Sequence, residues 1–525
     1  MERRKFLKMA TITGAGLAIG CKKDQIVPGT ENVTRKETPI LIIGSGFGGS
    51  VTALRLSQKG IKNTLLERGR SWIENDFCSF SKIDKRSTWL KKKAMIPIVN
   101  FSLPIEKYVG VTEYHEYKNM KIFNAAGLGG GSLVFGATYV KPAKLTFEQV
   151  FPSEVSYDEM SEKYFTKVQE EIGFSGIPDD IYNSKYYLYA RSFHEQCHRM
   201  GTESHRLVAS YDWDIIRKEL NGEIPLDFLK GEGMFGSRNG SKNSLDKTYL
   251  KKAKESGNTT IYTLADVTNI SIRTDKKYEV EVNHINEKGQ VLEKSIFVCE
   301  KLFLCAGAPN TLKLLLKAKT TSNLKELNNQ IGQGFGTNGK TFFRRNIKED
   351  SGDYTGWTPG DAAPYFENPY VPILIENIPQ PISLIIKIGD LHSNFHVGLG
   401  LSKYRGKYDY DPATDKLILD WDKEGLSDVI AAARDWVDKA NAANPGSSTD
   451  HILIKDEFLN GVSYHPLGGC VIGQAADMVG RLLEYPNLYV NDSTLVPGVV
   501  CANPAYTVAA LAERNIDKII QEDFL

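Results

Sequence analysis

Apolar positions gather in short blocks along this chain, and the spacing inside each block predicts what it forms. Residues 39–43 are continuously apolar and mostly branched, as in a strand buried on both faces. The run breaks at Gly44-Ser45-Gly46-Phe47-Gly48-Gly49. Beyond it Val51, Ala53, Leu54 and Leu56 recur at helical intervals until Lys59-Gly60 stops the helix. A second strand is predicted over 62–66 and ends at Glu67. Residues 302–304 belong to another buried strand, which breaks at the small residues Cys305, Ala306, Gly307 and Ala308. Residues 186–200 predict a helix. The strand predicted over 372–379 is apolar apart from Glu376 and Asn377, so it carries a single carboxylate.

The order strand, glycine turn, helix, strand, acid is a nucleotide-binding arrangement in which each residue has a physical task. Gly44 permits the tight turn, Gly46 lets backbone amides approach a pyrophosphate, and Gly49 lets helix and strand pack closely. The helix start presents its positive dipole end to phosphate. Glu67 stands about 20 residues on, where an acid accepts hydrogen bonds from ribose hydroxyls. These features serve NAD and FAD equally. A second cluster, Gly127-Leu128-Gly129-Gly130-Gly131-Ser132, is more than an NAD site needs, and its glycines would let the chain lie against a longer flavin.

Composition narrows the class. The chain has 525 residues, enough for several domains, with 65 Lys and Arg against 64 Asp and Glu. That balance offers no field for nucleic acid. The seven cysteines lack paired C-x-x-C spacing, so neither a disulfide framework nor a cysteine metal cluster is expected. At the N-terminus, Arg3-Arg4 precedes an uncharged run over 9–20, which resembles a twin-arginine export signal. Cys21 is a candidate lipid anchor, residues 22–37 read as a tether, and the expected location is periplasmic or at the cell surface.

Several further stretches carry a resemblance. They are residues 84–89, 130–134, 243–250, 332–339, Tyr464-His465-Pro466-Leu467-Gly468-Gly469-Cys470, Asn487 to Ser493, Asn503-Pro504, and 510–515. Together they resemble the glucose–methanol–choline family of flavin oxidoreductases, and within it the cholesterol oxidase branch with non-covalent FAD. The resemblance implies a doubly wound, Rossmann-like α/β FAD-binding domain (38–145, 235–345 and 455–525). It also implies an α+β substrate domain (146–234 and 346–454) with a six-stranded antiparallel sheet. The expected cofactor contacts are Gly44, Ser45, Gly46, Phe47, Gly48, Gly49, Glu67, Gly129, Gly130, Gly131, Ser132, Gly136, Val267, Gly307, Asp492, Asn503 and Pro504. Asp492 would bind the ribityl chain, Val267 the adenine, and Asn503 the flavin.

The implied reaction is oxidation of a sterol 3β-hydroxyl, with another polycyclic or terpenoid alcohol as the alternative substrate. His465 would lie beside the hydroxyl, orient it and accept its hydrogen bond, with transfer of the proton to the ring as the further alternative. Glu376, a carboxyl whose pKa burial should raise, would carry a proton between ring carbons and convert the 5-ene-3-one into the 4-ene-3-one. A monomer is expected. Phe135, Thr138 and Ala505 depart from the family pattern where the flavin is lined. Those departures leave open whether oxygen or another carrier takes the electrons.

Two other segments draw attention. Residues 194–198 satisfy H-E-x-x-H, a zinc-protease signature, yet no third ligand follows and no metal is expected. His115, His205, His284, His392, His396 and His451 are read as satisfied structural residues. Residues 89–98 mix basic and apolar positions and read either as a mobile lid that touches membrane while substrate enters or as a plain surface loop.

Overall fold

The computed structural model describes residues 33–79, 82–96, 101–352, 356, 358–379, 392–450 and 458–524. The expected export segment, Cys21, His451 and residues 97–98 lie outside the described residues. Within them no helix is long and apolar enough to cross a membrane.

The first apolar block forms β1 (Thr34–Ile43). Only its last four residues are wholly buried, and its first half alternates exposed with partly exposed positions. Residues 34–37 are therefore strand and not tether, because the long strand β3 (Val291–Leu304) runs parallel to β1 and supplies partners from Ser295 onward. The glycine turn leads into α1 (Phe47–Gln58), and β2 (Asn63–Leu66) follows. The sheet continues on both sides in the order Thr259–Tyr262, β2, β1, β3, Tyr278–Ile285, Ala265–Ile272, with Leu488–Val490 also paired to β3. Its parallel part is the doubly wound half. The last two strands form an antiparallel extension.

The turn can form only with glycine. A Cβ on Gly48 would stand 1.5 Å from the Asn491 carbonyl oxygen, and one on Gly49 would stand 1.9 Å from that of Gly44. Helix and loop thus meet backbone to backbone.

The second sheet is antiparallel throughout. It contains β4 (Lys340–Asn346), β5 (Ile373–Ile378) and β6 (Ser393–Gly400), in the order Ser448–Asp450, β4, β6, β5, Asp361–Tyr365, His205–Arg206. Phe458–Leu459 is a seventh strand, not among the six expected. It pairs with β4 on the same edge as 448–450, so seven segments fill six positions. The expected domain limit at 345 also cuts through β4, which pairs along its whole length with β6. Strand alternation divides this sheet's residues between two faces. Lys340, Phe342, Glu376, Ile378 and Val397 face the first sheet and its glycine turn. Phe343, Arg345 and His396 face the helices Leu188–Arg199 and Ser427–Ala443.

His396 departs from the reading as a satisfied residue. It is fully buried among Phe193, Phe343 and Trp436, and neither ring nitrogen has a hydrogen-bond partner. Burial, then Arg345, holds its pKa well below the usual imidazole range. In the H-E-x-x-H helix, the ring of His194 bonds to Ser204 at 2.8 Å and Cys197 is buried. No cluster among the described residues could hold a metal ion. The cysteines outside the N-terminal segment are free and buried. The segment read as a lid begins as a hairpin: Trp89 is buried, and Lys93–Ile96 pairs with Phe101–Pro104.

Gly48→Ala forces a methyl group into the Asn491 carbonyl. The expected cost is about 3 kcal/mol, read as a fall of several degrees in the thermal midpoint or as loss of soluble protein.

Candidate active site

The strand ends of the first sheet and one face of the second enclose a cavity of about 620 Å³, within the usual range for small-molecule sites. At one end two glycine loops press together: Gly130, at φ +55°, would place a Cβ 2.7 Å from the Gly46 Cα. Ser45 ties them to the acid. Its Oγ donates to Glu67 Oε2 at 2.6 Å and accepts from the Gly129 amide at 3.0 Å. Glu67 also accepts from the amides of Ser45 (3.1 Å) and Gly69 (2.8 Å). One lone pair on Oε1 is left for a ribose hydroxyl.

The wall fits FAD. A Cβ on Gly46, Gly131 or Gly307 would meet nothing within 4 Å, so these glycines border open space that a side chain would fill. Two helix starts face the cavity without a side-chain cap: α1, and α2 (Pro504–Asp523), which begins after Asn503. Their unpaired amides and positive dipole ends suit a pyrophosphate and a ring that gains negative charge on reduction.

Gly44, Ser45, Gly46, Phe47, Gly48, Glu67, Gly130, Gly131, Gly136, Val267, Gly307, Asp492, Asn503 and Pro504 all line the cavity. Gly49, Gly129 and Ser132 lie behind the wall. Gly49 serves helix packing, and the Ser132 hydroxyl bonds to the Gly129 carbonyl (2.7 Å) and Leu245 amide (2.9 Å). Asp492 is placed otherwise than a ribityl contact requires. Its carboxylate already accepts from the Gly307 amide (2.8 Å), the Thr311 hydroxyl (2.6 Å), and the Thr494 amide (2.9 Å) and hydroxyl (2.6 Å). All four acceptor positions are taken, so this side chain fastens the loops that carry Gly307 and Ser493.

The far end is a polar group set in an apolar wall. Asn503 caps nothing: its Nδ2 donates to Glu376 Oε1 at 2.7 Å. A side chain at this helix position ordinarily gains about 1 kcal/mol by capping, so here it serves Glu376 at the helix's expense. Burial pushes the Glu376 carboxyl up to about 7, against the opposing pull of Asn503 and Lys340. His465 lines the same space, with its pKa driven well below the usual range by burial and then by Lys340.

The His465 Nδ1 accepts from Asn338 Nδ2 at 3.3 Å, and that amide is oriented by donating to the Ala502 carbonyl at 2.9 Å. The neutral ring therefore carries its proton on Nε2. His465 can donate to a substrate oxygen; it is not the acceptor expected from the sequence. Sequence reasoning passed over Asn338 and Lys340. Their one signal was Asn338-Gly339, a pair that tolerates positive φ, directly before a strand; the two residues sit at φ +60° and +56°.

Family models for GMC oxidoreductases match residues 12–336 (N-terminal domain) and 401–512 (C-terminal domain). The chain belongs to the GMC oxidoreductase family. Members of this family use FAD and oxidise alcohols. A cholesterol oxidase of Acinetobacter baumannii is 22% identical over 91% of this chain and 94% of its own length. Another, of Mycobacterium tuberculosis, is 28% identical over 56% of this chain. The match spans about half, 50%, of that relative. A long-chain-alcohol oxidase of Arabidopsis thaliana is 22% identical over 93% of this chain and 68% of its own. Among solved structures, pyridoxine 4-oxidase from Mesorbium loti (TM-score 0.62, 15% identity, 92% and 99% of the two chains) shares the GMC fold. So does a fungal aryl-alcohol oxidase (TM-score 0.62, 11% identity, 92% and 98%).

Gly46→Val separates folding from cofactor binding in this GMC oxidoreductase. The new side chain meets no protein atom near its Cβ, so the variant should melt near the parent's temperature. Purified, it should lack the flavin absorbance band.

Proposed function

We propose that this GMC oxidoreductase converts the 3β-hydroxyl of a sterol into a ketone and then moves the ring double bond from the 5-ene to the 4-ene position. The observation that carries the reading is Glu376, a buried carboxyl bonded to Asn503 in an apolar wall beside His465. A carboxyl held near neutrality by burial can take a proton from one ring carbon and return it to another. His465 Nε2–H holds the substrate oxygen, and the apolar side chains of Met95, Phe342, Ile378 and Val397 exclude water from the ring system. FAD, when bound, supplies the hydride acceptor. We read its attachment as non-covalent, because the Cys305 thiol in the wall is held well above its usual pKa by burial; acid precipitation should then leave the flavin in solution.

The resemblance of the whole chain to the Acinetobacter baumannii cholesterol oxidase supports a sterol. The equal identity to a long-chain-alcohol oxidase favours a second reading, another large apolar alcohol. Phe135, Thr138 and Ala505 all line the cavity, and their departure from the family pattern bears on whether oxygen or a carrier accepts the electrons. Arg3-Arg4 and Cys21 support export with lipid anchoring. The exposed Lys91, Lys92 and Lys93 beside cavity-lining Trp89 and Met95 support brief membrane contact during substrate entry.

Anaerobic titration with cholesterol should bleach the flavin, and the speed of recovery on admitting oxygen tests the electron acceptor. Glu376→Gln should lower isomerisation by at least about 10²-fold, so that the 5-ene-3-one accumulates. Bleaching by another alcohol but by no 3β-hydroxysterol would replace the first reading with the second.

A further inference from the structure

Two lysines among the described residues are buried, and they differ in what holds them. Lys242 donates to the carbonyls of Leu133, Phe135 and Gly233 at 3.2, 2.7 and 3.4 Å, which accounts for its burial. Lys340 is only 6% exposed and lines the cavity, yet its Nζ has no hydrogen-bond or ion-pair partner among the described residues. It stands over the rings of Tyr464 (4.3 Å) and Phe342 (4.9 Å). Its place is set by backbone: Asn338 and Gly339 turn the chain at positive φ, and a Cβ on Gly339 would lie 1.7 Å from the Gly400 carbonyl oxygen. An unpaired buried amine is costly, and one aimed into a reaction chamber is a candidate for chemistry.

The neighbours leave a role vacant. His465 presents a donor, because Asn338 occupies its other nitrogen. Glu376, held by Asn503, serves the ring carbons in the proposed reading. Alcohol oxidation still needs a group to receive the hydroxyl proton. We propose that Lys340 is that catalytic base, taking the substrate hydroxyl proton on Nζ while His465 steadies the oxygen. This rests on the reading of the cavity as an alcohol-oxidising site.

In the step, the O–H bond breaks and an N–H bond forms at Lys340. With FAD bound as the two-electron acceptor, the carbinol C–H pair would leave as hydride and the C=O double bond would form. The resulting ammonium lies over the Tyr464 ring, a favourable cation–π position, with Glu376 near enough to act on its charge. The titratable groups facing Lys340 are Glu376 on β5 and Tyr464 and His465 on the segment across the cavity. Arg344, on the same face of β4, is paired with Asp450 at 3.1 Å. Burial draws the Lys340 amine down to about 7, and Glu376 opposes that fall. The free amine therefore predominates above neutrality.

The test uses the FAD-loaded enzyme and whichever alcohol bleaches its flavin. For the parent, kcat/KM should rise with pH through about 7 and level off. Lys340→Met should lower it by about 10²- to 10⁴-fold and flatten the rise. Added methylamine should restore part of the rate to Lys340→Ala, which a purely structural lysine would not allow. Glu376→Gln should move the rise to lower pH, since it removes the carboxylate that favours the ammonium. A rise that persists in Lys340→Met, or vanishes in Glu376→Gln, overturns the proposal.

Trace acetylation with acetic anhydride, read by peptide mass spectrometry across pH, needs no substrate. Lys340 should label with a midpoint near 7. A midpoint near the ordinary lysine value of about 10.4, or no labelling, overturns the proposal. If no 3β-hydroxysterol bleaches the flavin but Lys340 titrates low and its loss stops turnover of another alcohol, the sterol reading fails and the base stands. Sterol turnover with an unaltered pH profile in Lys340→Met gives the reverse.

Discussion

The approach of one backbone to another at Gly46 and Gly130 is the constraint on which the cavity depends. With a 2.7 Å separation between a virtual Cβ and the opposing Cα, no side chain can intervene. Ser45, between the loops, holds Glu67 and the Gly129 amide together. The same closeness recurs behind the turn, where Gly48 rests on the Asn491 carbonyl. Because Asn491 directly precedes Asp492, that contact brings the carboxylate that anchors Gly307 to the back of the cavity. Segments from four distant parts of the chain thereby share one wall, and each contributes backbone that can lie against a cofactor.

The opposite wall obeys a different rule. A sheet face that packs against another domain would ordinarily be apolar, and β5 and β6 largely are. Into this face the strand alternation sets Lys340 and Glu376, while α2 and the 464–465 segment add Asn503 and His465. Burial draws each titratable member toward its neutral form: Glu376 up, Lys340 and His465 down. A carboxyl and an amine drawn toward neutral pH can each exchange a proton with a substrate at little cost. Asn503 forgoes capping its own helix to bond Glu376, and the uncapped helix start is left to the cofactor.

Much of this was legible in the sequence. The glycine turn, the order of strand and helix, and the acid at Glu67 are local in the chain, and glycine spacing reports directly on backbone approach. Chain resemblance located Glu376, His465 and Asn503, and the cavity does gather them. Pairing across the chain was less legible. The split edge beside β4, the extension of β1 into the supposed tether, and the placement of β4 in the second sheet all depend on partners far away in sequence.

What the sequence by itself determined is the class of fold and of cofactor, because the two glycine clusters and the order of strand, helix and acid are written in consecutive residues. What only the tertiary structure decided is which atoms remain free to react. Asp492 looks like a cofactor ligand until four donors are found on its carboxylate. His465 looks like an acceptor until Asn338 is found on Nδ1. Lys340 looks like a surface lysine until it is found buried with no hydrogen-bond or ion-pair partner among the described residues. Hydrogen-bond saturation and desolvation are properties of neighbours in space, and no residue carries them alone.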